Sequence, residues 1–283
     1  MILVDYSGIS LGVITAMNLP PQEDLLRHTI LNSLRSIYQK NKAKYGEMVI
    51  CCDHSSWRRD YFPNYKAVRR AKRSEDTDSQ EYWEAIFEII GKIKEEIRDH
   101  LPWKVVHVYG AEADDVIATL AKETEEFGKF EPVLIVAADG DFKQLHTMKH
   151  VKQYSPQLKK MVKCDDPADW LFTAIAKGQE KDGIPSVLSP DDFYIRKMNG
   201  EPMRAKAITA KKLAEWKEEI PESIRPNWDR NKTLMSFDSI PANVRGAILK
   251  EYEAQESTSF SNVLNYFVSK RLRVLMDNIN DFK

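Results

Sequence analysis

Asp139 and Asp141 stand one residue apart, separated by Gly140, at the end of the apolar run VLIVAA, residues 133–138. A run of this length bounded by turn residues reads as a buried strand, so two carboxylates leave the same strand end. Charges this close repel, and a loop cap, an ion partner or a bound cation has to make their proximity favourable. The pattern recurs elsewhere in the chain. Asp5 ends the apolar start ILV, Asp53 follows EMVICC at 47–52, and Glu112-Ala113-Asp114-Asp115 follows VVHVY at 105–109. That last group opens a helix, on which Glu112 and Asp115 share a face. Taken singly, such acids are ordinary Asx-turns or helix caps. Taken together, six or seven carboxylates converge on one edge if their strands are parallel. Hard cations held by carboxylates and water neutralise such an edge, and Mg²⁺ is the usual choice beside phosphate. A pair of ions about 3.5–4 Å apart activates water and stabilises the leaving oxygen in phosphodiester hydrolysis. Asp139 and Asp141 are therefore read as metal ligands.

The elements that must position these acids alternate along the first half. Residues 22–44 carry Leu25, Leu26, Ile30, Leu34 and Ile37 near helical spacing, and 80–100 carry Tyr82, Trp83, Ile86, Phe87, Ile90, Ile93 and Ile97. EADDVIATLAKE is a third helix. Strands separated by helices pair in parallel through right-handed crossovers, which gives an α/β fold: a central, mostly parallel sheet with helices on both faces. Residues 151–163 read as a hairpin turning near Ser155-Pro156. From about 165 the pattern is mainly helical, at 166–177, 207–220, 241–254 and 259–275, with a loop-rich stretch over 178–206. The expected division is an α/β domain over 1–164, with a basic arm at about 54–80, and a helical region over 165–283.

Composition excludes several classes. The 283 residues suffice for one large domain or two modest ones, and 42 Lys and Arg against 43 Asp and Glu leave a net charge of −1. Global charge thus names no partner. Three cysteines without a CxxC spacing argue against structural zinc and a disulfide framework, and for a reduced, cytoplasmic setting. No apolar run reaches membrane-spanning length, and Asp5 interrupts the N-terminal apolar stretch before a signal core forms. His28, His54, His107, His146 and His150 are scattered, and neither a Ser-His-Asp order nor a Gly-rich phosphate loop is present.

Local charge is more informative. Residues 54–73, HSSWRRDYFPNYKAVRRAKR, hold Arg58, Arg59, Lys66, Arg69, Arg70, Lys72 and Arg73 against Asp60 alone, with Trp57, Tyr61, Phe62 and Tyr65 interleaved. A charge run is usually a solvated surface. Basic residues among aromatics also suit phosphate tracking and base stacking, and guanidinium groups fit phosphate oxygens well. Nucleic acid is the favoured partner.

ILVDYS, CCDHSSWRRDYFPNYKAVR, GAEADDVIATL and AADGDFKQL together resemble the flap-endonuclease family of 5′ nucleases, in particular its bacteriophage members. The resemblance covers nearly the whole chain and is most specific from residue 2 to about 182. It implies metal carboxylates at Asp5, Asp53, Glu112, Asp114, Asp115, Asp139 and Asp141. Arg58, Lys66 and Arg69 are implied to approach the scissile phosphate, with Tyr65 as a stacking candidate and Arg59, Arg70, Lys72 and Arg73 as further substrate contacts. The implied activity is 5′→3′ exonuclease and flap-endonuclease cleavage with two Mg²⁺ ions, for which Mn²⁺ substitutes. The implied substrates are 5′ flaps, nicked DNA and RNA–DNA hybrids, with RNA primers removed during phage replication in the host cytoplasm. The phage single-stranded-DNA-binding protein and sliding clamp are the implied protein partners, and residues 165–283 the duplex-binding region.

Two departures from the family pattern stand out. Its usual Asp-x-x-Asp pair falls on KGQEKDGI, so Gln179 replaces the first acid while Asp182 matches the second. A neutral amide predicts a weaker second metal site unless Glu180 supplies the charge. Residues 184–206 also lack a Gly-rich helix–hairpin–helix turn, though Arg196, Lys197, Arg204 and Lys206 offer cations to a duplex. Rival readings are weaker. A phosphatase with an aspartate nucleophile needs Asp-x-Asp after its first strand, where this chain has Asp5-Tyr6-Ser7. A non-catalytic DNA-junction binding protein with a degraded second metal site is suggested by Gln179 alone.

Overall fold

A computed structural model describes residues 1–75, 77–125, 130–256 and 260–283, with no account of the side chains of 72–79. The elements run β1 Ile2–Asp5, α1 Tyr6–Met17, α2 Glu23–Tyr45, β2 Met48–Cys51, α3 Trp57–Tyr61, α4 Ala67–Glu75, α5 Thr77–His100, β3 Lys104–Val106, α6 Ala113–Glu123 and β4 Val133–Val136. There follow a 3₁₀ turn Gly140–Thr147, β5 Val151–Ser155, β6 Lys160–Val162, α7 Pro167–Lys177 and a 3₁₀ turn Glu180–Asp182. The chain ends with α8 Phe193–Met198, α9 Ala210–Glu218, α10 Arg225–Met235, α11 Ala242–Ala254, α12 Phe260–Ser269 and α13 Arg273–Met276.

Two compact units result. The first comprises Met1–Ser55, Glu81–Lys163 and Ala242–Lys283, the second Ser56–Gln80 and Cys164–Pro241. The first contains a six-stranded sheet of order β3-β2-β1-β4-β5-β6, parallel throughout except for β6, which runs antiparallel to β5. The strand interiors are apolar on both faces because helices cover both, as parallel sheets require. Ile2, Val4, Met48, Ile50, Val105, Leu134 and Val136 share one core with Leu26, Ile30 and Leu34 of α2 and with Ile86, Ile90, Ile93 and Ile97 of α5. Within it Arg27 is buried and paired with Glu23, Asp24 and Glu96, so its guanidinium charge is met from three sides. Cys51 and Cys52 are buried at the end of β2, and burial pushes both thiols well above their ordinary pKa.

The C-terminal helices group with the sheet rather than with 165–241, and the cause is visible at the sheet's open edge. Among the described residues β3 pairs with no strand but β2, so main-chain groups on its other side need a different partner. Gln255 closes that edge: its Oε1 accepts from Val105 N–H at 2.8 Å and its Nε2 donates to Val105 O at 2.6 Å. Tyr266, Phe267, Leu275 and Phe282 then complete the apolar core. The helix expected over 259–275 is interrupted between α12 and α13, where Arg271 takes a left-handed φ of 54°. The strand expected over 105–109 stops at Val106, because β2, with which it pairs, stops at Cys51.

The second unit is helical. Ile175, Val187, Trp216, Ile224 and Trp228 form its main core, and Phe62, Tyr65, Ile184, Leu234 and Met235 a smaller one. The basic arm forms α3 and α4. Among the described residues, no helix is long and apolar enough to cross a membrane.

Candidate metal centre

Strand order reverses between β1 and β4: the chain moves outward from β1 to β2 and β3, then returns to the other side of β1 with β4. The carboxyl ends of strands flanking such a reversal bound the ligand crevice of open α/β sheets. Asp5 is the last residue of β1 and is in register with Cys51, so Asp53 lies two residues beyond it on the neighbouring strand. Val4 is in register with Val136, so Asp139 follows a short way beyond on the other side. Three aspartates thus leave three adjacent parallel strands at one edge.

Each is fixed by main-chain donors. Asp5 Oδ1 accepts from Gly8 N–H at 2.8 Å and caps α1, which starts with no intervening loop. Gly8 has no side chain where a Cβ would fall far inside van der Waals contact with that carboxylate. Asp53 Oδ1 accepts from Ala113 N–H at 2.9 Å, tying the exit of β2 to the first turn of α6. Asp139 Oδ1 accepts from Asp141 N–H at 3.0 Å and opens the 3₁₀ turn that follows β4. Gln153 Nε2 donates to Asp139 O at 2.7 Å and Ala137 O at 3.1 Å, holding that exit from β5. Glu112 caps α6, with Asp114 in its first turn. Asp115 is fully buried, and its Oδ2 accepts from Glu112 N–H at 3.0 Å, so one oxygen secures the helix start.

Asp5, Asp53, Glu112, Asp114, Asp139 and Asp141 therefore come from the edge the sequence pattern indicates, while Asp115 lies beneath it. Among the described residues, however, no three Asp, Glu, His or Cys side chains converge into a cage for one ion. The donor set is all carboxylate oxygen. It suits hard cations that keep much of their water and take one or two carboxylates each, completed by substrate phosphate, rather than cations needing a dedicated protein cage. The residues present fit a divalent ion of that kind.

Histidines scattered in the sequence meet here. His54, next to Asp53, packs against His107 with ring centroids 4.8 Å apart and the planes tilted by 37°, and Lys94 Nζ lies 3.0 Å from His107 Nδ1. Burial first, and then the charge of Lys94, lowers the pKa of His107, so the neutral ring accepts from the ammonium. No spacing in the sequence signals this cluster, because its members come from the segment after β2, from α5 and from the residue after β3.

In the second unit the arm is anchored rather than free. Arg58 is buried, donates from Nε to Leu234 O at 2.7 Å and lies 4.6 Å from the centre of the Trp57 ring. Tyr65 is also buried, so its ring serves packing with Phe62 and Ile184 rather than an open stacking face. Lys66 has a left-handed φ of 54°, a strained conformation for a residue with a side chain. Asp182 holds it there twice: its backbone O accepts from Lys66 N–H at 2.8 Å, and Oδ1 lies 3.6 Å from Lys66 Nζ. The approach is close enough that a Cβ on Gly183 would meet Asn64 O at 2.9 Å. Arg59, Arg69 and Arg70 are on the same arm, with Arg70 Nη1 donating to Tyr65 O at 2.6 Å. The side chains of Lys72 and Arg73 lie outside the described residues. Gln179 forms a two-way main-chain bridge with Ile184, and Glu180 is paired with Lys197 at 3.3 Å. Arg196 is paired with Glu201 at 2.7 Å.

Comparison with known proteins gives the chain its family. Residues 24–170 match the family described as 5′-3′ exonuclease, N-terminal resolvase-like domain, and residues 167–282 match the family described as T4 RNase H, C terminal. The chain belongs to the 5′-3′ exonuclease family. This 5′ nuclease, a hydrolase of phosphodiester bonds, is 34% identical to the Ribonuclease H of Enterobacteria phage T4 over 99% of its own length and 95% of that protein's. Its fold is that of the bacteriophage T5 5′-exonuclease solved with zinc (TM-score 0.63, 18% identity, 89% of this chain and 97% of that one). It matches equally the T5 flap endonuclease in a pseudo-enzyme–product complex with DNA and metal ions (TM-score 0.63, 17% identity, 89% and 98%).

Proposed function

We propose that this 5′ nuclease removes RNA primers during phage DNA replication in the cytoplasm of the infected cell. It would degrade RNA–DNA hybrid and nicked DNA from the 5′ end and cut 5′ flaps. The observation that carries this is the set of three aspartates, Asp5, Asp53 and Asp139, leaving three neighbouring parallel strands at the reversal of strand order, each held by a main-chain N–H. Asp5, Asp53, Glu112, Asp114, Asp139 and Asp141 would hold two Mg²⁺ ions, one or two carboxylates to each and the rest through water and substrate phosphate, with Mn²⁺ as substitute and Asp115 setting the start of α6. Two such ions supply an activated water and neutralise the leaving oxygen. The protein's own groups bind and orient the substrate. Arg59, Lys66, Arg69 and Arg70 would neutralise phosphate oxygens, with Lys72 and Arg73 extending the same stripe, and Arg58 would fix the base of the arm. The helices over 165–241 would grip duplex backbone. The phage single-stranded-DNA-binding protein and sliding clamp are the expected protein partners.

The test is a 5′-labelled flap and a nicked RNA–DNA hybrid, each incubated with Mg²⁺ or with EDTA. Short labelled products that require Mg²⁺ are expected from both. Tight binding of the flap without any cleavage would favour a junction-binding protein instead.

A further inference from the structure

Tyr109 is 80% exposed, a large ring standing in solvent directly beyond the end of β3. Isolated exposed rings are common and need no explanation by themselves. This one is different in how firmly it is mounted. The segment that carries it is tied to the residues after β2 by two hydrogen bonds: His54 N–H to Ala111 O at 3.0 Å, and Gly110 N–H to Ser55 Oγ at 2.9 Å. Ala111 N–H closes the turn on Val108 O at 3.1 Å, and Gly110 supplies the left-handed φ of 84° that the turn requires. Behind the ring stands His54, edge-on with centroids 5.2 Å apart, and behind His54 stands His107, whose ring is held by Lys94. The same two segments carry Asp53 and Glu112, and Asp53 Oδ1 bonds Ala113 N–H across them. An aromatic surface is thus fixed to the frame that places the candidate metal carboxylates, with its own outer face uncovered.

Resting on the nuclease reading, we infer that Tyr109, backed by His54, is a stacking platform for a nucleobase adjoining the phosphate that is cut. The chemistry is sequence-tolerant, since every base offers a π-face and a pre-placed ring loses little freedom on contact. DNA and RNA bases serve equally, which suits an enzyme that must cut past the junction of one with the other.

The experiment pairs enzyme variants with altered substrates. Steady-state cleavage of a 5′ flap is measured for the parent and for Tyr109→Phe, Tyr109→Leu and Tyr109→Ala, on intact flaps and on flaps with one abasic site walked across the cleavage junction. Tyr109→Ala should raise KM about 5- to 150-fold, the factor expected for loss of one stacked base, with a smaller change in kcat. Tyr109→Phe should behave as the parent and Tyr109→Leu should fall between. At one position the abasic site should raise the parent's KM by a similar factor and leave Tyr109→Ala unaffected. The thermal midpoint should not move, because the ring is solvated. Parental KM in Tyr109→Ala overturns the inference, as does a loss in Tyr109→Ala that persists unchanged with the abasic site at every position. EDTA-sensitive cleavage by all variants would keep the nuclease reading intact in either case, whereas a parent that cuts nothing would remove both.

Discussion

At the sheet edge, Asp5, Asp53 and Asp139 each receive a main-chain N–H from the turn their own strand exit builds or joins. In the arm, Lys66 is held by a residue more than a hundred positions away, and Arg58 by a carbonyl farther still along the chain. One charge set is placed by backbone geometry, the other by tertiary pairing. The difference has a chemical logic. Groups that hold ions need positions good to a fraction of an ångström, which strand ends and caps supply. Groups that meet a moving phosphate chain need charge and reach, and strain at Lys66 is a sign of a position imposed from outside rather than chosen locally.

The largest expected effect separates the two roles of a sheet-edge aspartate. Asn caps a turn nearly as well as Asp, so Asp139→Asn should keep the fold while removing a charged oxygen from the metal. Cleavage should fall on the order of 10²-fold or more, with stability changed by less than about 1 kcal/mol. Asp139→Ala should lose the same activity and, in addition, about 1 kcal/mol of stability from the cap. Full activity in Asp139→Asn at ordinary Mg²⁺ would break the comparison at its first term.

For the arm the expected pattern differs. Lys66→Gly relieves the left-handed strain but takes the ammonium away from buried Asp182, so the two effects oppose and unfolding stability should move by less than about 1 kcal/mol, while turnover falls about tenfold or more. Each phosphate that Lys66 or Arg69 ceases to neutralise should also flatten the log–log salt dependence of duplex binding by about 0.9. If Lys66→Gly cuts flaps at the parental rate and binds with the parental salt slope, the arm is a solvated surface.

Arg58 sharpens the comparison from inside the arm. Its burial and its bond to Leu234 O mark it as the anchor, so Arg58→Met should cost about 1–3 kcal/mol in denaturant unfolding by leaving that carbonyl unmet. A variant that is catalytically dead yet fully stable would move Arg58 from anchor to phosphate contact.

The smallest effect concerns Gln179. Glu180 faces Lys197 and Asp182 faces Lys66, so both acids of this turn already have a cationic partner, and a carboxylate at 179 would bring a further negative charge. Gln179→Asp should lower the Mg²⁺ concentration for half-maximal cleavage a few-fold, and calorimetry should show the weaker of two binding events move toward the tighter. Two equally tight events in the parent would place residue 179 outside the metal's surroundings.

What the sequence reveals follows the same division. Strand exits carrying acids are legible because an apolar run and the residue after it are neighbours in the chain. The parallel sheet and the hairpin over 151–163 are legible for the same reason. The helix Tyr6–Met17 is not, since Asp5 serves both as the last strand residue and as the cap, leaving no turn signal between. Nor is α10, whose start holds Pro226 and whose buried residues include Arg230 and Asn231 alongside Trp228 and Leu234. Asn231 Nδ2 there bonds Ile175 O and Pro185 O, both at 2.8 Å, so a polar residue does a core residue's work. The burial of Tyr65, the edge closure by Gln255 and the His54–His107 contact are tertiary facts that periodicity does not carry.

The two buried thiols at the end of β2 have a use as reporters. Thiolate is the reactive species, and burial keeps Cys51 and Cys52 protonated and covered, so an alkylating reagent should reach them only when the strands part. Cys164 belongs to the other unit and is half-exposed, which should make its labelling early and indifferent to that opening. Timed alkylation followed by mass analysis would therefore read how often the sheet beneath the acidic edge comes apart, and whether bound divalent ions slow it.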